Sequence, residues 1–145
     1  MKTFSTMMVG LVMLLVAGCA GGVGPTTVAP TVDVTGTWAG TWVGTESTLG
    51  TGPIEMTLEQ TGSEYTGNLF MTGFSTGFYQ VGGVPYGPTQ GVVSGNQVRV
   101  IAPSNLTGSL TVQGDSMTGT VQCGGLPGSH VRGGLEANVT LTRQK

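Results

Sequence analysis

The chain has few charged residues and a single histidine, and both shortages exclude classes of function. Only 8% of its 145 residues are charged, seven acidic and five basic. A nucleic-acid-binding surface needs clustered Lys and Arg, so this composition argues against a nucleic-acid partner. Since His130 is the only histidine, a three-histidine metal site within one chain is impossible. We therefore expect neither a metal site nor a nucleic-acid-binding function.

Catalytic combinations of side chains are also missing. Cys123 and His130 are seven residues apart, but the sequence offers no third residue to orient them as a nucleophile and base. A small buried thiol and a solvated loop histidine are the favoured interpretations. Glu55 and Glu59 alternate with apolar residues, which predicts two outward charges rather than a carboxylate pair. No phosphate-binding glycine loop precedes a helix. We expect a protein that is not an enzyme and has no cofactor.

Long apolar runs are absent except at the N terminus. Lys2 precedes an apolar stretch from Met7 to Ala17, and the small Gly18 follows it, so residues 1–18 are predicted to be a secretory signal peptide. The stretch Leu15-Val16-Ala17-Gly18-Cys19 resembles the lipobox of bacterial lipoproteins. That resemblance implies that Cys19 becomes the first mature residue and carries acyl chains such as palmitate. An ordinary cleaved signal with an incidental cysteine is the alternative.

The lipobox resemblance also implies a location. Each buried methylene contributes about 0.8 kcal/mol and stable anchoring needs more than one chain, so a multiply acylated Cys19 would stay on the membrane without a spanning helix. Ala20 stands where lipoprotein sorting rules place aspartate for retention in the inner membrane. The sequence therefore predicts a lipid-anchored protein of the cell envelope, on the outer membrane rather than the inner one, facing the periplasm or the cell surface.

Beyond the signal peptide we expect a tether and one domain. Residues 20–33 read AGGVGPTTVAPTVD, with no aromatic residue and no helical periodicity. Together with Cys19 they are interpreted as a flexible tether, residues 19–33, with a root-mean-square reach of roughly 20 Å. Residues 34–145 suit a single domain. The mature chain carries four basic and seven acidic side chains, and an acylated Cys19 leaves Cys123 without a partner for an intramolecular disulfide.

The domain has the pattern of an all-β fold. Apolar and polar residues alternate with a period of two, threonine is abundant, and glycine-containing turns recur at short intervals. Tight turns are predicted at Gly62, Gly95 and Gly114, which implies an antiparallel meander. Strands are predicted near residues 34–43, 54–61, 64–72, 77–82, 90–94, 97–102, 105–113, 116–123 and 135–143.

A repeated glycine pattern indicates that the sheet closes on itself. Glycine lies between two apolar residues, each two positions away, and therefore on the inward face of its strand. Missing side chains there allow a sheet to coil tightly, as a small closed barrel requires. We therefore expect an antiparallel up-and-down barrel of about eight strands. The pattern occurs at Val34-Gly36-Trp38, Trp38-Gly40-Trp42, Tyr65-Gly67-Leu69, Leu106-Gly108-Leu110 and Met117-Gly119-Val121.

The two ends of the domain resemble the calycin group, which includes lipocalins and avidins. Gly36-Thr37-Trp38 is similar to the Gly-x-Trp near the start of those barrels, and Arg143 is similar to their basic residue near the end. The resemblance implies that Arg143 packs over Trp38 and shuts one end of the barrel. A second lipocalin motif, a C-terminal helix and a disulfide are missing, so the resemblance bears on the fold more than on the ligand.

Two hypotheses of function follow from the expected barrel. The first is that the barrel binds or carries a small hydrophobic ligand, in a pocket lined by inward-facing residues: Trp42, Met56, Tyr65, Leu69, Met71 and Met117. The alternative is a structural or interaction module of the envelope, with a solid core and an unknown protein partner. The segment 73–91, rich in aromatic residues, glycine and proline, would form a flexible lip in the first case and a plug in the second.

Overall fold

The computed structural model describes residues 28–46, 50–75, 80–81, 84–103, 105–123 and 135–145. Strand is the only regular secondary structure in these residues, and none of them belongs to a helix that could cross a membrane. The strands are β1 (Gly36–Gly44), β2 (Thr51–Thr61), β3 (Glu64–Met71), β4 (Phe74–Ser75), β5 (Gln80–Val81), β6 (Val84–Ser94), β7 (Gln97–Ala102), β8 (Leu106–Gln113), β9 (Ser116–Cys123) and β10 (Leu135–Arg143).

Eight of these strands form a closed antiparallel barrel. Consecutive barrel strands pair in chain order from β1 to β3 and from β6 to β10, and β3 pairs with β6. The first strand then pairs with the last, with Trp38 opposite Arg143 and Trp42 opposite Val139. Strands β4 and β5 form a separate two-stranded sheet inserted between β3 and β6. The expected up-and-down barrel is therefore confirmed, and closure leaves none of its eight strands with an unpaired edge.

The connections give the barrel two unlike ends. At one end, which we call the turn end, two-residue turns join β2 to β3, β6 to β7 and β8 to β9. Each turn begins with a glycine of positive φ: Gly62 at 63°, Gly95 at 57° and Gly114 at 60°. That position of glycine is typical of type II′ hairpins. At the opposite loop end, the longer connections 45–50, 72–83, 103–105 and 124–134 join the strands.

The inward-facing glycines permit close approach between neighbouring strands. A Cβ atom on Gly40 would lie 1.9 Å from the carbonyl oxygen of Thr140 on β10, and one on Gly67 would lie 2.0 Å from that of Thr57 on β2. Gly119 has the same relation to Ser109, at 2.1 Å. Gly91 on β6 belongs to this set as well, with the Arg99 oxygen 1.8 Å away. These glycines are therefore needed because backbone from the next strand occupies the space of a side chain.

Of the predicted strand at 77–82, the structure describes Gln80–Val81, which form a strand that pairs with β4 outside the barrel. The barrel strand is β6, which begins at Val84 rather than at the predicted residue 90. Pro85, Gly87 and Pro88 lie between the strands predicted at 77–82 and 90–94. The structure accommodates them by a register shift in the β3–β6 ladder, with Gly87 at φ 74°. A bulge is one of the few places where a strand admits proline.

The structure describes the last part of the predicted tether, from residue 28. Residues 28–35, which we call the N-terminal cover, contact the turn end of the barrel. The Thr31 amide donates to the Gly95 carbonyl at 2.8 Å, and the Val28 amide donates to the Ser94 hydroxyl at 3.1 Å. Val34 is fully buried in the core. The part of the predicted tether that precedes residue 28, with Cys19, lies outside the described residues.

Candidate functional site

The six residues proposed to line a pocket all lie in the barrel interior. Strand alternation places them on the inward face, and they join a single apolar cluster with the other inward residues. Their exposed fractions are between 0% and 2%, and Trp42, Met71 and Met117 have none. A void large enough for a water molecule would leave accessible surface on the side chains around it. These six side chains are therefore almost completely buried.

The six side chains are not at one level of the barrel. Tyr65 and Met117 are the second residues of strands that start at the turn end, whereas Met71 ends β3 at the loop end. Met56 and Leu69 are register partners between those levels. The indole nitrogen of Trp42 donates to the Thr72 carbonyl at 2.8 Å, so this ring is bonded to the residue that follows β3. The structure brings the six residues into one core, where they are distributed along its length.

Trp38 and Arg143 come together at the turn end. The guanidinium carbon of Arg143 lies 4.3 Å from the centre of the Trp38 ring, within the range of a cation–π contact. The indole nitrogen of Trp38 donates to the Val34 carbonyl at 2.9 Å. Trp38 is fully buried, and the Arg143 side chain retains 26% of its exposure. The ring is therefore enclosed by the cover on one side and the arginine on another.

Every nitrogen of the Arg143 guanidinium has a partner. One terminal nitrogen donates to the Asp33 carbonyl at 2.5 Å and the other to the Thr35 carbonyl, so the arginine holds the cover in place. Its third nitrogen, Nε, lies 3.4 Å from an Asp115 carboxylate oxygen. Both side chains of that ion pair are partly exposed, so it contributes little by itself. Arg143 thus acts as a connector between the last strand and the chain segment before the first.

Two further polar groups fix the cover, and neither was identified from the sequence. The Gln60 side chain accepts from the Val34 amide at 2.8 Å and donates to the Gly62 carbonyl at 2.8 Å. Asp33 accepts from the Thr35 amide at 2.8 Å. Hydrogen bonds from the Thr35 side chain and backbone lower the pKa of Asp33, and the Arg143 charge adds to that effect. A polar residue at the inward end of a strand is the only sequence signal that Gln60 offered.

The interior contains one polar pair, formed by Tyr65 and Thr89. The Tyr65 hydroxyl donates to the Arg99 carbonyl at 3.0 Å, and the Thr89 hydroxyl donates to the Ile101 carbonyl at 3.0 Å. Burial raises the pKa of Tyr65 to about 12, although a hydrogen bond with Thr89 works in the opposite direction. Both hydroxyls have backbone partners, and no described buried side-chain nitrogen or oxygen lacks one. The pair is therefore a satisfied part of the core rather than an open polar site.

Several residues considered in the sequence lie beyond what the structure describes. Cys19, Phe78, Tyr79 and His130 are outside the described residues. Cys123 ends β9, Phe74 begins β4 and Tyr86 belongs to β6, but only their backbone is described. Glu55 and Glu59 lie on the exposed face of β2, as their alternation predicts. Within the described ranges, no group of three His, Cys, Asp or Glu side chains could hold a metal ion.

The outer wall of the barrel carries concave surfaces that sequence reasoning did not identify. One spans β6 to β9 and encloses about 640 Å³ around the exposed Arg99. Another, of about 630 Å³, spans β2, β3 and β6 and includes Glu59 and Asn68. Cross-strand pairing brings together outward residues that are distant in sequence, so neither surface can be predicted from a local sequence motif.

The fold and the interior define a class: a closed eight-stranded up-and-down β-barrel, consistent with a calycin-like barrel, with a core of its own side chains. Comparisons with protein-family models, with curated proteins and with solved structures gave no match. Any assignment of function therefore depends on the residues of this chain.

Proposed function

We propose that this protein is a non-catalytic interaction module of the bacterial cell envelope, held to a membrane by a lipid on Cys19. In this proposal the barrel core is solid, and its outer wall and loop end face a protein partner. The observation that carries the proposal is the burial of the six candidate lining residues, between 0% and 2% exposed. Ligand pockets of proteins are usually open spaces of about 300–1,000 Å³, already formed before binding. A filled core supports recognition by the outside of the barrel.

The position of the N-terminal cover supports an orientation for the anchored barrel. Val28 lies beside Ser94 at the turn end. Nine residue steps separate Cys19 from Val28, so the chain between them spans at most about 30 Å. An acylated Cys19 would therefore hold the turn end near the membrane. The loop end would project away from it.

The anchor can be tested by expressing the wild-type chain and Cys19→Ser in a bacterium with two membranes. We expect the wild type to incorporate a radiolabelled fatty acid and to sediment with the outer-membrane fraction. Cys19→Ser should lose the label and leave the membrane pellet. Equal labelling of both proteins would contradict acylation of Cys19. Wild-type protein in the inner-membrane fraction would contradict the predicted sorting.

A second function, carriage of a small hydrophobic ligand, is favoured by the chemistry of the same core. Trp42, Met56, Met71 and Met117 are one indole and three thioethers, and methionine repacks more readily than branched side chains. A ligand could enter only if these side chains moved. The experiment is native mass spectrometry of protein taken from its own envelope, with tryptophan fluorescence during titration with a lipophilic quencher. A solid core predicts the mass of the polypeptide with its acyl chains alone, and no quenching of Trp42. A bound small molecule, with quenching lost in Trp42→Phe, would replace the first proposal by the second.

A further inference from the structure

The two described arginines differ in the use of their guanidinium groups. All three guanidinium nitrogens of Arg143 make hydrogen bonds or an ion pair within the chain. Arg99, in the middle of β7, is exposed, and its guanidinium makes no ion pair or hydrogen bond with the described residues. The backbone of Arg99 belongs to the sheet, and its carbonyl oxygen also accepts from the Tyr65 hydroxyl. The Arg99 side chain is therefore available for a group from outside the barrel.

Cross-strand pairing places Arg99 on the floor of a groove. Val92 on β6 and Ser109 on β8 are its register partners, and Thr120 on β9 is the partner of Ser109. These four residues line the concave surface of about 640 Å³, with Gln97 and Gln122 also among the residues that line it. We call this surface the Arg99 groove.

The lining of the Arg99 groove is unusual for a chain with more acidic than basic residues. Arg99 is the only charged residue in it, and the others are hydroxyl, amide, valine and glycine residues. Glu64, opposite Val92 on β3, is the acidic residue two strands away, and it forms no ion pair with Arg99. A guanidinium binds a carboxylate through two parallel hydrogen bonds. Serine and threonine hydroxyls and glutamine amides both donate and accept, which suits the hydroxyl groups of a sugar.

We propose that the Arg99 groove binds an acidic saccharide. A sugar carboxylate lies on the Arg99 guanidinium, sugar hydroxyls hydrogen-bond to Ser109 and Thr120, and the apolar face of a ring packs on Val92. Charge complementarity selects this ligand over a neutral glycan, because Arg99 is the one charged residue of the lining, and Glu136, which accepts from Gln122, lies outside it. The proposal goes beyond the proposed function, since it requires neither an acyl anchor nor a solid core.

The test is a titration of the isotopically labelled protein, residues 19–145 with Cys19→Ser, with galacturonic acid oligomers, followed by amide chemical shifts. We expect perturbed signals in β6 to β9 and no response to neutral galactose oligomers of the same length. Arg99→Gln should weaken binding by about tenfold or more, since a charge-assisted hydrogen bond is lost. Lys145→Gln, which removes the same charge far from the groove, should bind as the wild type does.

A second variant separates a specific site from general attraction. Ser109→Asp places a carboxylate beside Arg99 on the exposed face, so it should also abolish binding while circular dichroism stays unchanged. Unchanged affinity in Arg99→Gln would overturn the proposal. Equal weakening in Lys145→Gln would do the same, because it would mean that the oligomer responds only to net charge. A phosphorylated sugar that binds while galacturonate does not would overturn the carboxylate assignment.

Discussion

Strand β1 runs from the turn end to the loop end of the barrel, and its two tryptophans make different contacts at the two ends. At the turn end, Trp38 is covered by Arg143 and donates to Val34 of the N-terminal cover. Toward the loop end, Trp42 donates to the Thr72 carbonyl just after β3. The first indole joins both termini of the domain, whereas the second joins a strand to a long connection. The contacts at the turn end therefore close the barrel, and we expect a partner to bind at the loop end and the outer wall.

Gly40, between the two tryptophans, should show the largest effect because both ends depend on the close approach that it permits. In Gly40→Val the new side chain meets the Thr140 backbone, which cannot move aside without breaking the β1–β10 pairing. We expect a loss of about 3 kcal/mol or more in the free energy of unfolding, or failure to fold. Ala39→Val, one residue away on the outward face, is the control and should change stability by about 0.5 kcal/mol or less. Urea denaturation measures both, and similar values would contradict the close-approach argument.

The next effect distinguishes the two indoles directly. A double-mutant cycle of Trp38→Leu with Arg143→Met should give a coupling energy of about 1 kcal/mol, from the cation–π contact and the shared cover. The parallel cycle of Trp42→Leu with Arg143→Met should give a value near zero, because about 13 Å of strand separates their register positions. Chemical denaturation of the single and double variants provides both energies. Equal coupling in the two cycles would remove the distinction between the ends.

A smaller effect is expected from loosening the N-terminal cover. Gln60→Ala removes the acceptor of the Val34 amide and should cost about 1 kcal/mol. Hydrogen exchange at the Val34 amide should become faster, whereas exchange near Trp42 should be unaffected. The matched control is Gln122→Ala, which removes an exposed hydrogen bond to Glu136. If Val34 exchange is the same in Gln60→Ala and in the wild type, Gln60 does not hold the cover.

The smallest effect concerns pH at the same end. Because the folded protein lowers the pKa of Asp33, its ionised form stabilises the fold above the ordinary value of 3.8, and this contribution is lost as the pH falls through the lowered pKa. Asp33→Asn should therefore lower the melting temperature slightly at pH 6 and have less effect near pH 2. Calorimetry at the two pH values measures this. A larger effect at the lower pH would show that the sign is wrong.

The barrel could be predicted from residues whose period is visible along the chain. Strand alternation predicts that Trp38, Met56 and Leu69 face inward, and the glycine pattern predicts closure of the sheet. The start of β6 could not be predicted from the sequence. Pro85 and Pro88 are unusual in a strand, and a bulge in the β3–β6 ladder accommodates them. The hydrogen bonds of Gln60 and the residues around Arg99 could not be predicted from the sequence, because each depends on segments that meet only in the folded barrel.

The pairing of β1 with β10 also governs when the barrel can form. Arg143 reaches Thr35 across 108 positions of the sequence, so this contact joins the two ends of the domain. Contacts of such separation slow folding, because the chain loses loop entropy before it gains the contact. A polypeptide that ends before residue 135 lacks the strand that closes the circle. The barrel therefore closes only after β10 has been synthesised. Closure during synthesis has to wait for these nine residues.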